Sequence, residues 1–304
     1  MPGDRPPHGW LVIDKPQGVT SAQAVGRVRR AFAAKAGHAG TLDPLATGVL
    51  PIALGEATKT IAYAINGRKR YRFRVRWGIA RATDDCEGEI VGESGVLPRR
   101  EDIEAVLPNF TGAVMQTPPA YCALKIGGRR SYALARAGHA PSLAARRVEI
   151  YSLGLTATPD LEHADFEAIV GKGTYIRALA RDLARELGTF GHITALRRLS
   201  VGPFGEADAI PLESLGDTQH IPANYGNLLP IETALAGVPA VMLAASEADR
   251  LRYGQRVTVC DPVQRRQFER LDGDDVVSAW HNQTLVALAK IEGASLRPLR
   301  VINW

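Results

Sequence analysis

The stretch that most narrows the possible folds is Asn66 to Arg81, NGRKRYRFRVRWGIAR. From Arg70 it alternates with period two. Arg70, Arg72, Arg74 and Arg76 fall on one side, Tyr71, Phe73, Val75 and Trp77 on the other. A helix would scatter both sets around its axis, so the pattern requires a strand with one apolar and one basic face. Four guanidinium groups on one strand face repel one another unless something anionic lies against them. One reading is a solvated basic face over a sheet. The other is a track for a phosphate backbone, with Tyr71 reaching a site at the strand's start. The placement of charge favours the second. Net charge is only +5, yet residues 1–83 hold 14 basic against 4 acidic side chains, while residues 230–304 hold 9 of each. Thirty of the 37 basic residues are arginine, whose fork grips phosphate and stacks on bases. A local excess of this size is the footprint of a protein that meets a polyanion.

Several classes are excluded. Cys86, Cys122 and Cys260 are odd in number and widely spaced, which fits reduced thiols in the cytoplasm and offers no metal-ligand spacing. The opening MPGDRPPHGWLVIDK lacks an apolar run of signal-peptide length, and no segment approaches a membrane span. Walker A, GxGxxG, GxSxG and HExxH patterns are absent. The expectation is a cytoplasmic protein with no cofactor, no membrane and no required protein partner, working as a monomer.

Along the chain, Leu11 to Ile13 reads as a strand, and Thr20 or Ser21 as cap of a helix carrying Val25, Val28 and Phe32. Leu97 to Phe110 looks helical, residues 117–147 look like an insertion, and Asp165 to Val170 alternates as a strand. Ile176, Leu179, Ala180, Leu183 and Leu187 trace a helix stripe, with Thr174 as cap, Gly188 as stop, and Arg177, Arg181 and Arg185 on the opposite face. From about residue 238, RVTV, VVSAW and TLVALAK suggest a small β-rich domain. This gives two domains, 1–237 and 238–304.

The most unusual segment is GTLDPLATG, Gly40 to Gly48. A carboxylate flanked by Leu42 and Pro44 is poorly solvated and needs a partner. An Asp before Pro often does no more than cap a turn. On composition alone the two roles for Asp43 are evenly matched.

GHAGTLDPLATGVLP resembles the catalytic-loop signature of the TruB family, bacterial tRNA pseudouridine synthases acting on a T-arm uridine. Five further segments resemble the family in the right order. They are Asp14-Lys15-Pro16 with Gly18, Thr20 and Ser21; Tyr71 with Phe73; and Thr117-Pro118-Pro119-Ala120-Tyr121 through Lys125, Gly128, Tyr132, Ala135, Arg136 and Gly138. Gly173 to Arg177 with Leu179 and Ala180, and Leu196-Arg197-Arg198 with Gly202-Pro203-Phe204, complete the set.

The resemblance implies an α+β protein of the pseudouridine synthase fold. Its sheet would be mixed but largely antiparallel, flanked by helices, with an RNA-gripping insertion at about 117–147. A small C-terminal PUA-like β-barrel would touch the tRNA acceptor end. It implies isomerisation of a tRNA uridine at T-loop position 55, by base flipping and an aspartate nucleophile, without a cofactor. Asp43 matches the nucleophile, Tyr71 the tyrosine against the flipped uracil, and Arg177 the arginine paired with the carboxylate. His38 matches the histidine that contacts the T-loop. Lys15, Tyr175 and Leu196 match positions in or beside the pocket, and Arg72 and Arg74 would follow the phosphates. Ala39 and Cys122 depart from the Thr and Ser common there, which puts one hydrogen bond in doubt at each place. Two rival functions are a pseudouridine synthase acting on ribosomal RNA, and a chaperone that folds tRNA without chemistry.

Overall fold

In the computed structural model the described residues are 7–122, 124–126, 129–130, 143–216, 225–259 and 275–304. Gly128, Tyr132, Ala135, Arg136 and Gly138 of the insertion, and Cys260, lie outside them. Among the described residues, ten strands join in one mixed sheet. Its main path runs Ala209–Pro211, Gly9–Lys15, Thr47–Leu54, Gly191–Val201, Lys69–Trp77, His163–Val170, Arg146–Ala157 and Gly112–Gln116. Along that path only the contacts of Gly9–Lys15 with Ala209–Pro211, and of Thr47–Leu54 with Gly191–Val201, are parallel. The sheet is therefore mixed and largely antiparallel, as expected.

The alternating strand holds. Tyr71, Phe73, Val75 and Trp77 are all buried, and the Phe73 and Phe166 rings stack with centroids 5.3 Å apart. The helix Ile176–Glu186 contributes Ile176, Leu179, Ala180 and Leu183 to the same core. On the basic side the adjacent strand and Glu162 just before it supply the anions. Register sets Arg72 opposite Glu167 and Arg74 opposite Asp165. Arg74 forks onto Asp165 at 2.6 and 2.8 Å, Arg70 and Arg72 reach Glu167 at 2.5 and 3.5 Å, and Arg76 reaches Glu162 at 3.0 Å. The protein's own carboxylates thus relieve the repulsion that the sequence pattern raised.

The local helix signals hold in part. Thr20 caps the helix Ser21–Phe32 in a box with Gln23, and Ser21 turns elsewhere. Thr174 does not cap its helix: Tyr175 occupies that position without a side-chain bond, and the Thr174 hydroxyl is buried with no partner among the described residues. Gly188, at φ +68°, does end that helix. Its three arginines do not form one solvated face, since side-chain exposure climbs from 4% at Arg177 to 15% at Arg181 and 66% at Arg185. The segment read as Leu97 to Phe110 is α-helical over Arg100–Val106 and continues as a 3-10 turn over Leu107–Phe110.

A five-stranded sheet closes the chain, in the order Ala240–Met242, Val276–His281, Thr284–Glu292, Ser295–Val301 and Val257–Thr258. It has its own core around Val241, Leu251, Val277, Ala287 and Ile291. Leu285, Leu288 and Ile302 pack on Trp10, Phe204 and Ile231 of the preceding part.

The Asp43 loop enters its strand through Gly48, at φ +99°. A Cβ there would lie 2.2 Å from the Arg198 carbonyl oxygen, across the parallel pair of Gly48 with Arg198. Gly48→Ala combines a left-handed backbone with a backbone clash. Thermal and denaturant melts should show a loss of roughly 3 kcal/mol; a change within experimental scatter would contradict the close approach.

Candidate active site

The loop is held from four sides by groups far away in sequence. The Ser21 hydroxyl donates to the Leu42 carbonyl at 3.0 Å and accepts from the Leu42 amide at 2.8 Å. The amide of Gly18 donates to the Pro44 carbonyl at 2.8 Å. Lys15 is fully buried and its ammonium donates to the carbonyls of Pro16, Val19 and Pro44 at 2.8, 2.7 and 3.3 Å. Arg198, 1% exposed, donates to the carbonyls of Val49, Gly40 and Thr41 at 2.8, 3.0 and 3.5 Å. Buried carbonyls each need a donor, so these bonds fix the backbone on both sides of Asp43.

Arg177 approaches from the helix. Its Nε donates to Asp43 Oδ2 at 2.9 Å. One terminal nitrogen donates to the Thr83 carbonyl at 2.7 Å and stands 3.5 Å from Asp85 Oδ2. The other donates to the Tyr121 carbonyl at 2.8 Å. Burial pulls the guanidinium pKa down, but the carboxylates of Asp43 and Asp85 outweigh it and the net shift is upward. Asp43 has the partner that its apolar neighbours call for, yet its side chain is 36% exposed, and the buried member of the pair is Arg177, at 4%. A carboxylate that must meet a substrate has to face the opening, and its counterion supplies the rigidity from behind.

The opening is a cleft of about 250 Å³ that includes Asp43, Tyr71, Tyr175 and Leu196 in its walls. Lys69, Lys172 and Arg198 complete its basic lining. Four of the expected site residues therefore share the cleft, with Arg177 directly behind Asp43. Lys15 sits under the loop; burial brings its ammonium down to about 8, Asp43 opposing and Arg198 adding to the fall. Burial raises the Tyr175 phenol, with Cys122 and Asp43 acting in the same direction and Arg146 opposing. Cys122 is itself buried and hydrogen-bonds the Tyr175 side chain, so the thiol occupies a structural position. His38 lies on the short strand Ala36–His38, half-buried and outside the cleft lining. Burial, then Arg198, hold its imidazole below the usual range.

Arg72 and Arg74 are not in this cleft. They line a neighbouring groove of about 340 Å³ with Gln17, Thr47, Asp165 and Arg197. Arg197 forks onto Asp14 at 3.0 and 2.9 Å and reaches Glu206 at 2.7 Å.

Sequence reading missed Ser21 as a loop anchor, Arg198 as the donor to three loop carbonyls, and Asp85 as the second carboxylate behind Arg177. Asp85 is 4% exposed within a segment, ATDDCEGEI, that reads as a polar turn. The available signal was two adjacent acids before an otherwise polar bend, too common a pattern to single out one buried group.

Comparison with known proteins bears on the same residues. A sequence profile for the N-terminal domain of TruB family pseudouridylate synthases matches residues 29–176. A profile for the tRNA pseudouridylate synthase B C-terminal domain matches residues 177–236. The chain is 52% identical over 299 residues to a tRNA pseudouridine synthase B of Rhodospirillum rubrum, covering 97% of this chain and 96% of that protein. It is 48% identical over 300 residues to a protein of the same name from Gluconacetobacter diazotrophicus, covering 98% of each. Among solved structures, a chain of the archaeal box H/ACA sRNP Nop10–Cbf5 complex shares the fold, with a TM-score of 0.73 at 24% identity over 98% of this chain and 87% of that one.

Proposed function

The chain belongs to the TruB family of pseudouridylate synthases, and on that premise we propose that it isomerises a T-arm uridine of tRNA, at T-loop position 55. The observation that carries the site is the Asp43–Arg177 pair, open to solvent on the carboxylate side and flanked by Tyr71 in one cleft. A base inside a folded T-arm must leave its stack to reach a carboxylate at the floor of such a cleft, at a cost of a few kcal/mol. Asp43 then acts as nucleophile, one carboxylate oxygen forming a transient bond to the substrate that breaks again as the product is completed. The bond from uracil N1 to ribose C1′ breaks, the detached ring turns, and C5 bonds to C1′. The C5 proton leaves and N1 takes one up, so atoms balance without a redox step or a group donor. Tyr71 lies against the flipped ring, and Tyr175 and Leu196 close its surroundings. Lys15 acts from beneath, through the Pro44 carbonyl, and His38 meets the T-loop beside the cleft. Residues 1–237 carry this chemistry. The charge-neutral block 238–304, a PUA-like half-barrel, makes an auxiliary contact to the tRNA. The enzyme works alone in the cytoplasm.

Tritium release from tRNA labelled at uridine C5, with mapping of the modified position, tests this reading. Release with modification at the T-loop uridine is expected. Release from ribosomal RNA alone, or binding of tRNA with no release, would replace it by one of the two rivals.

The basic strand face yields a second prediction. Each of its arginines already has a carboxylate neighbour, and Arg72 retains 61% side-chain exposure. Exposed pairs of this kind contribute ~0–1 kcal/mol, so phosphates can compete for the arginines. Arg72→Ala combined with Arg74→Ala should weaken tRNA binding several-fold and lower the slope of log K against log salt by about one to two. An unchanged slope in a salt titration would assign that face to Asp165 and Glu167 alone.

A further inference from the structure

Among the described residues, Lys172, Arg146 and Arg68 are exposed cations near the active site without a carboxylate partner. Lys172 is in the cleft wall and the other two lie next to residues that are in it or touch it. Lys172 lines the cleft on an exposed turn and makes no ion pair with any described residue. Arg146 is exposed and close enough to Tyr175 to act on its phenol. Arg68, also exposed, precedes the cleft residue Lys69, and its guanidinium carbon lies 3.9 Å from the ring centroid of Tyr151. Tyr151 is 42% exposed, on the strand Arg146–Ala157. It reaches the cleft wall, since a Cβ on the cleft residue Gly171 would lie 3.8 Å from its ring.

This group differs from the strand arginines in two ways. Arg70, Arg72, Arg74 and Arg76 face acids on or just before the neighbouring strand, whereas among the described residues Arg68 has a ring and no acid. A charge held over an aromatic face keeps its full value toward a phosphate, and its plane is ordered by the ring beneath. Planar guanidinium backed by tyrosine is also a surface on which an unstacked base can lie. Lys69 sets the position of this unit. Its buried ammonium donates to the carbonyls of Ile65 and Gly67, which holds the turn that presents Arg68.

We propose that Arg68 stacked on Tyr151, with Lys172 and Arg146 beside it, is a docking platform for the nucleotide next to the flipped uridine in the RNA strand. The base rests on the Arg68–Tyr151 stack, and its phosphates meet Lys172 and Arg146. The platform gives the displaced strand a place to settle once the target base has left it. This inference rests on the RNA-modifying reading of the Asp43 cleft and adds a subsite to it.

The test measures steady-state tritium release and equilibrium binding with a T-arm RNA hairpin, at several salt concentrations. Arg68→Ala and Tyr151→Ala should each raise KM and Kd about tenfold, with the loss falling on KM rather than on kcat. Arg68→Ala should also lower the salt slope by about one, and Tyr151→Ala should not. Arg68→Lys should restore the slope without the affinity, because an ammonium keeps the charge and loses the plane. Hairpins carrying an abasic nucleotide on either side of the target uridine supply the decisive arm. On one of the two, wild type and Tyr151→Ala should bind equally, because the base that stacks is gone. Arg99→Ala, an exposed arginine at the start of the helix Arg100–Val106, serves as control and should leave KM unchanged. All these side chains are exposed, so thermal melts should match wild type. Unchanged KM for both Arg68→Ala and Tyr151→Ala, or an equal penalty from Tyr151→Ala on both abasic hairpins, would overturn the platform while active wild type upholds the reading beneath it. Wild type inactive on any T-arm substrate would overturn that reading, and the platform with it.

Discussion

Asp43→Asn should abolish tritium release while leaving tRNA binding nearly intact. The substitution keeps the size of the side chain and its hydrogen bond from Arg177 Nε, 2.9 Å away in the native pair. It removes the negative charge and the nucleophilic oxygen. If Asp43 forms the covalent bond that frees uracil from its ribose attachment, the loss in kcat should reach at least ~10⁴-fold, as for other nucleophiles removed from an otherwise complete site. The loop itself should persist, because Ser21, Lys15, Gly18 and Arg198 hold it through main-chain atoms that the substitution leaves alone. Binding should fall by no more than a few-fold, since the phosphate contacts lie elsewhere. Release by the variant at more than a hundredth of the wild-type rate would remove Asp43 from the role of nucleophile. Binding lost together with activity would make it a recognition residue instead.

Different parts of this molecule were legible in the sequence to very different degrees, for physical reasons. The alternating strand could be read because a period of two survives any context, and its buried face is the one the pattern names. The electrostatics of its other face could not be read. Asp165 and Glu167 are visible as charges, but their contact with Arg74 and Arg72 depends on the register between strands some ninety residues apart. The same limit hides Arg198. Its identity suggests surface or phosphate, whereas its surroundings make it an internal donor to Gly40, Thr41 and Val49, 149 to 158 positions earlier. Thr174 was misread because a hydroxyl residue just before a helix satisfies a local rule, while here packing at Tyr175 sets the helix start. Asp43 stood out only as an awkward carboxylate. Motif resemblance drew attention to it, and geometry then supplied the buried arginine that composition alone left unassigned.

Replacing that arginine should be costly in stability and activity together, by separable routes. Arg177→Met keeps much of the stem's volume and deletes the fork. The carbonyls of Thr83 and Tyr121 then lose a donor, and Asp85, 4% exposed, is left as a buried carboxylate without a cation. Breaking a buried pair from one side typically costs ~3–5 kcal/mol, mostly from the charge left behind. Melting should fall by on the order of 5–10 °C for a chain of this length. Activity should fall by ~10²–10³-fold, because the charge that orders Asp43 against the substrate has gone. Arg177→Lys should recover part of the stability and little of the activity. An ammonium can answer Asp85 or Asp43, but its three donors do not reproduce a planar fork that spans Asp43, Thr83, Asp85 and Tyr121. Adding Asp85→Asn to Arg177→Met separates the two routes. With the orphaned charge neutralised, most of the lost stability should return, while tritium release should stay at the level of the single variant. Return of both would mean that Arg177 serves the fold alone, and return of neither would mean that the main-chain bonds to Thr83 and Tyr121, not the charge on Asp85, set the cost.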